Sequence, residues 1–198
     1  MNAVARYYFP KAFGVVISAS HNPIEDNGLK LINTHGEMLD QKYEPLLNEL
    51  MKTEDLSSAM SALRESLAVI HGKELAPEDK GIIFIGRDTR PDGPDLVDLL
   101  KATCVQCQVE DFGLVTTPLI HYYTWYFNKN GGVDSNLTRD DLVNNYYRTM
   151  SQGFGRLMDR HFKARRFNLY VDCSNGVGSV SIKGFKESQL YQRYNPVI

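Results

Sequence analysis

Apolar residues along the chain recur with two periods. Residues 13–18 (FGVVIS) and 81–86 (GIIFIG) are nearly continuous apolar runs, short enough for strands covered on both faces. Residues 28–33 (GLKLIN) half-alternate and predict another strand, and residues 107–115 (CQVEDFGLV) predict a strand with its exit. Elsewhere the spacing is helical. From about Lys42 to Ile70, the positions Leu46, Leu47, Leu50, Leu56, Met60, Leu63 and Leu67 recur at helical intervals. Residues 91–103 (PDGPDLVDLLKAT) and 117–127 (TPLIHYYTWYF) open with prolines where a helix N-terminus tolerates them, and the second ends near NKNGG. Thr138 and Asp141 form an approximate capping box ahead of Leu142, Tyr146, Met150, Phe154 and Met158, which predicts a helix to about His161. Residues 74–81 (ELAPEDKG) predict a loop.

This alternation predicts an α/β fold with a mixed, largely parallel sheet flanked by helices. Residues 167–178 (FNLYVDCSNGVG) then predict a returning strand and a glycine turn, like the opening of an incomplete second α/β domain. One strand and one helix cannot bury a core, so either this tail packs onto the first domain or the second domain is incomplete.

The length of 198 residues suits one domain or one and a half, and the net charge of −2 points away from nucleic acid or an anionic membrane as partner. No apolar run reaches the roughly 18 residues of a transmembrane helix. The N-terminus lacks the apolar core of a signal peptide. The three cysteines, Cys104, Cys107 and Cys173, suit a reducing compartment better than a disulfide framework. Cys104 and Cys107 form a C-x-x-C with no second pair to complete a metal knuckle; the spacing also allows a redox motif, but the favoured reading is two small apolar residues near a helix end.

Candidate chemistry concentrates in residues 18–30 (SASHNPIEDNGLK). A serine hydroxyl reacts when a base activates it or when it already carries the group to be transferred. Ser20 lies between Ala19 and His21, outside the G-x-S-x-G pattern of a hydrolase elbow. In an extended segment His21 also points away from its neighbour, so no triad is marked. A phosphoserine needs cations or a metal and a route for a proton. His21 and Lys30 can supply charge and proton transfer, and Asn22 and Pro23 a fixed turn. Arg87, Asp88 and Arg90 read as a buried ion-paired turn at a strand end. Thr116, Thr117 and Pro118 read as a helix cap beside the cleft. Asp172 and Asn175 read as turn residues, and Lys163, Arg165 and Arg166 as a solvated helix end.

S-A-S-H-N-P followed by D-N-G-L-K resembles the active-site loop of the α-D-phosphohexomutases, with Ser18 where that family usually has threonine. FIGRDTRP (84–91), FGLVTTP (112–118) and VDCSNGVG (171–178) resemble further motifs of the family. The G-x-D-x-R segment follows S-H-N-P instead of preceding it, as in the phosphoacetylglucosamine mutase subfamily, and GEML (36–39) fits that subfamily too.

The resemblance implies the family's α/β/α first domain over residues 1–161, without its first strand, and the opening of a second domain over 162–198. It implies Ser20 as the phosphoserine and as a Mg²⁺ ligand through its phosphate oxygen. Lys30 is then the general acid/base, and His21 positions the phosphate or the sugar. The implied reaction interconverts N-acetylglucosamine 6-phosphate and 1-phosphate through a 1,6-bisphosphate, in the cytoplasm, on the way to UDP-N-acetylglucosamine. The expected partner is a sugar phosphate. The family's D-G-D-x-D metal loop, its sugar-recognition loop and its phosphate-binding loop have no match in this sequence, nor does a Gly-x-x-Gly-x-Arg strand ahead of AVARYYF. Two expectations therefore stand side by side: part of a mutase with little turnover alone, or a truncated, non-catalytic form.

Overall fold

The computed structural model describes residues 2–74, 80–161 and 170–187. Helix α1 (Asn2–Tyr8) leads into β1 (Ala12–Ile17) and β2 (Leu29–Ile32). Helices α2 (Glu44–Lys52) and α3 (Leu56–His71) precede β3 (Gly81–Arg87), α4 (Gly93–Thr103) and β4 (Cys107–Leu114). Helices α5 (Thr117–Lys129), α6 (Arg139–His161) and α7 (Gly178–Glu187) follow.

The four strands form one sheet in the order β2-β1-β3-β4. β1 runs parallel to β3, β3 parallel to β4, and β2 antiparallel to β1, which is the mixed, largely parallel sheet expected. The central strands are apolar at every position but Arg87, the last of β3, because both faces are covered. Alternate side chains split between two cores. Phe13, Val15, Ile17, Ile83 and Ile85 pack with Val4 of α1, Leu67 of α3 and Val97 of α4. Ala12, Val16, Ile82 and Phe84 pack on the other face with Ile120 and Tyr123 of α5 and Leu142 of α6. Gly14 sets how closely α5 approaches: a Cβ there would lie 2.7 Å from Thr124 Oγ1 and 2.9 Å from Ile32 Cβ.

The predicted helix signals hold in detail. Thr138 N and Oγ1 donate to Asp141 Oδ2 at 2.9 and 2.7 Å, and Asp141 N donates back to Thr138 Oγ1 at 3.2 Å. Prolines occupy the first turn of α4 and α5. Cys104 is buried at the end of α4, as its apolar reading implies, and Cys107 opens β4.

Three features differ from the sequence reading. The helical spacing from Lys42 to Ile70 is two helices, because Thr53 turns extended and Asp55 caps a new start, its Oδ1 accepting from Ser58 N at 3.1 Å. Helix α1 was hidden by its length, and its formation rests on tertiary burial of Val4, Ala5 and Tyr7. Residues 170–173 carry no strand; Tyr170 is 90% exposed, and a strand needs an edge to pair with. The tail's helix instead packs on the first domain: Tyr147 Oη of α6 donates to the Ser181 carbonyl at 3.3 Å. Residues 75–79 of the predicted loop, Lys163, Arg165 and Arg166, residues 167–169 of the predicted strand, and residues 188–198 lie outside the described residues.

Candidate active site

In a parallel sheet, ligands gather beyond the carboxyl ends of the strands. The loops leaving β1, β3 and β4 meet there around an open cleft of about 540 Å³. Ser20, Lys30, Asp88, Arg90, Thr117 and Ser174 are among its lining residues.

Ser20 sits on an exposed turn just past β1, not on an extended strand, and its φ is 58°. A left-handed serine costs on the order of 1–3 kcal/mol unless its surroundings hold it. Several contacts do so here. Ser18 N donates to the Gly28 carbonyl at 2.9 Å and closes the base of the loop. The buried Ser18 hydroxyl accepts from Ser20 N at 3.2 Å and braces the turn from inside. Asn27 Nδ2 donates to Asp92 Oδ1 at 2.9 Å and ties the loop's far side to the start of α4.

Lys30 arrives by a different route. It lies on β2, antiparallel to β1 and opposite Val16, which brings it back to the cleft. Ser20 and Lys30 therefore share one cavity, while His21 is exposed on the loop and outside that lining. The turn after β3 contributes Asp88 and Arg90, ion-paired at 3.4 Å with both side chains largely buried. This matches the expected ion-paired turn for Asp88 and Arg90; Arg87, the third residue of that reading, is instead the half-buried last residue of β3. Thr116 holds the N-cap position of α5 without a side-chain capping bond, and Thr117 faces the cleft. Asp172 acts as a turn residue, its Oδ1 accepting from Ser174 N at 2.8 Å. The cleft-lining role of Ser174 escaped the sequence reading, because its motif predicts a turn and not what the turn faces.

The cleft residues do not make a Mg²⁺ site by themselves. Mg²⁺ needs several oxygen ligands in octahedral array. Among the described residues the one carboxylate lining the cleft, Asp88, accepts a hydrogen bond from Arg90 N and is ion-paired with Arg90 Nε. Among the described residues no group of three or more His, Cys, Asp or Glu is placed to hold a metal.

A family model described as phosphoglucomutase/phosphomannomutase, alpha/beta/alpha domain I, matches residues 2–58 and 60–163. The chain belongs to this family. Among its relatives, the phosphoacetylglucosamine mutase of Sus scrofa is 35% identical over 180 residues, 87% of this chain and 31% of that protein. Phosphoacetylglucosamine mutase 1 of Schizosaccharomyces pombe is 32% identical over 179 residues, 87% of this chain and 32% of that protein. The chain thus spans about a third of the length of these family members. Among solved structures, a serine-to-alanine variant of the Aspergillus fumigatus N-acetylphosphoglucosamine mutase with glucose 1,6-bisphosphate superposes with a TM-score of 0.75. It is 29% identical, over 94% of this chain and 34% of that one. The same enzyme in complex with GlcNAc-6P and magnesium gives a TM-score of 0.71 at 28% identity, over 96% of this chain and 36% of that one. No described helix is long and apolar enough to cross a membrane.

Proposed function

We propose that this chain is the phosphoryl-carrying first domain of a phosphoacetylglucosamine mutase, with Ser20 as the carrier. The observation that carries the reading is the Ser20 hydroxyl on a braced, left-handed turn in one cleft with Lys30. Phospho-Ser20 gives its phosphoryl to O1 of N-acetylglucosamine 6-phosphate. The Ser20 Oγ–P bond breaks, the sugar O1–P bond forms, and Lys30 relays the sugar's hydroxyl proton to Ser20 Oγ. The 1,6-bisphosphate reorients; its O6–P bond breaks, the Ser20 Oγ–P bond re-forms, and the Ser20 hydroxyl proton passes to O6, leaving the 1-phosphate. His21 steadies the phosphate or sugar from the exposed rim. Mg²⁺ on the phosphate oxygen of Ser20 belongs to the family resemblance; the described cleft does not complete its shell, and no step above runs through it. Residues 1–161 form the first domain in this reading, and residues 162–198 open the second. A cytoplasmic setting suits the three cysteines, which form no disulfide.

A second reading is a folded domain that accepts phosphate and does not turn over. It is favoured by the described cleft residues, which group no three His, Cys, Asp or Glu to hold a metal, since electrostatic stabilisation is often the largest catalytic contribution. Intact-mass analysis with peptide mapping tests both, after incubation with Mg²⁺ and N-acetylglucosamine 1,6-bisphosphate. One phosphate on Ser20, absent in Ser20→Ala, is the expected result. Formation of the 1-phosphate from the 6-phosphate then separates mutase from mere acceptor. A chain that takes no phosphate on Ser20 overturns both readings.

A further inference from the structure

The buried arginine of the turn after β3 has an unusual set of partners. Arg90 is 9% exposed, and its guanidinium faces the backbone of the serine loop. Nη2 donates to the Asn22 carbonyl at 2.8 Å and to the Ser20 carbonyl at 3.4 Å, and Nη1 donates to the Pro23 carbonyl. Its Nε lies 3.4 Å from Asp88 Oδ2, and Asp88 Oδ1 accepts from Arg90 N at 3.1 Å. Asp88 N in turn donates to the Ile17 carbonyl at 3.1 Å, the last residue of β1. The arginine is thus anchored to the sheet on one side and grips three loop carbonyls on the other.

We infer that Arg90 is the positioning residue for the reactive serine, holding the Ser20 turn through backbone carbonyls without touching substrate. This inference rests on the reading of Ser20 as phosphoryl carrier. A planar fork with several N–H donors can reach three carbonyls at once; an ammonium cannot match that geometry. Because the terminal nitrogens are spent on carbonyls and Nε faces Asp88, the charge serves the loop and not an incoming phosphate. The contact to the Ser20 carbonyl acts on the one residue of the loop with a left-handed backbone. Residues held in such conformations stay there only when neighbours over-determine them. The role fits a phosphoryl transfer, in which positioning supplies much of the rate.

The test uses the whole chain in four forms: wild type, Arg90→Ala, Arg90→Lys and Asp88→Asn. Hydrogen exchange is read without ligand, at labelling times short enough that β1 and β3 stay protected. Residues 18–28 should exchange about tenfold faster or more in Arg90→Ala, with Arg90→Lys and Asp88→Asn between it and wild type. Phosphorylation of Ser20 by glucose 1,6-bisphosphate should lose about tenfold or more in maximal rate, with half-saturation within about twofold and partial rescue by lysine. If Arg90→Ala does not fold, the lysine and Asp88→Asn variants carry the comparison. Unchanged loop exchange overturns the inference. So does a raised half-saturating concentration at full maximal rate, which would make Arg90 a substrate-binding cation. A wild-type chain that takes no phosphate sinks the carrier reading alone, and loop exchange still decides whether Arg90 positions the turn.

Discussion

The serine loop after β1 and residues 172–177 ahead of α7 border the same cleft, and both carry serine with a left-handed backbone: φ is 58° at Ser20 and 45° at Ser174. They are held by different means. The serine loop is closed at its base by Ser18 and Gly28, tied outward by Asn27 to Asp92, and gripped from within by Arg90. The other turn is organised by its own residues: Asp172 accepts from Ser174 N, and Gly176 N donates to the Cys173 carbonyl at 2.6 Å. Short-range turn chemistry is enough to shape a loop. Long-range contacts are needed to hold it at a set place relative to the sheet.

Four substitutions can break or sharpen this contrast. Arg90→Met should cost most. It leaves three carbonyls and the Asp88 carboxylate facing a buried thioether, and breaking such an arrangement costs about 3 kcal/mol. Urea denaturation of the whole chain measures it, and a loss too small to resolve would erase the distinction between the loops. Asn27→Ala should follow at about 1 kcal/mol, the worth of one hydrogen bond, by the same measurement. Asp172→Ala should leave the urea midpoint unchanged while quickening exchange across residues 172–177; a shift as large as that of Asn27→Ala would show this turn to be equally built in.

The smallest effect lies far from the cleft and serves as a control. His71 at the end of α3 stacks on Tyr7 at 4.7 Å between ring centroids, and its Nε2 meets the Tyr43 hydroxyl at 3.0 Å. Burial, and then the charges of Lys42 and Lys73, hold its pKa below the ordinary value. A base lowered on folding is kept neutral in the folded state. Its contribution is full above the unfolded value of about 6.5 and is lost as pH falls through that value toward the folded one. Thermal melts at pH 7.5 and 5.5 should therefore show a larger acid loss in wild type than in His71→Gln, with loop exchange at residues 18–28 the same in both.

Most of the architecture was legible along the chain. Apolar runs marked the strands, helical spacing marked α3 to α6, and the Thr138 and Asp141 pair marked the start of α6. The break at Asp55 was legible too, in a capping residue followed by Ser58, but a continuous leucine spacing overrode it. Of the strand expected from residue 167, the described part, residues 170–173, is not paired, because a β pattern states a preference, while a strand exists only beside a partner.

The chain's own order of residues determined the α/β class, the serine loop, and the family through the succession of its motifs. Only the tertiary structure decided that Lys30 shares a cleft with Ser20 and that Arg90, 70 residues from Ser20, grips its loop. The physical reason is plain in the partners. Lys30 returns through strand register, which depends on pairing. Arg90 binds backbone carbonyls, which every residue carries, so no side chain in the loop advertises the arginine that holds it.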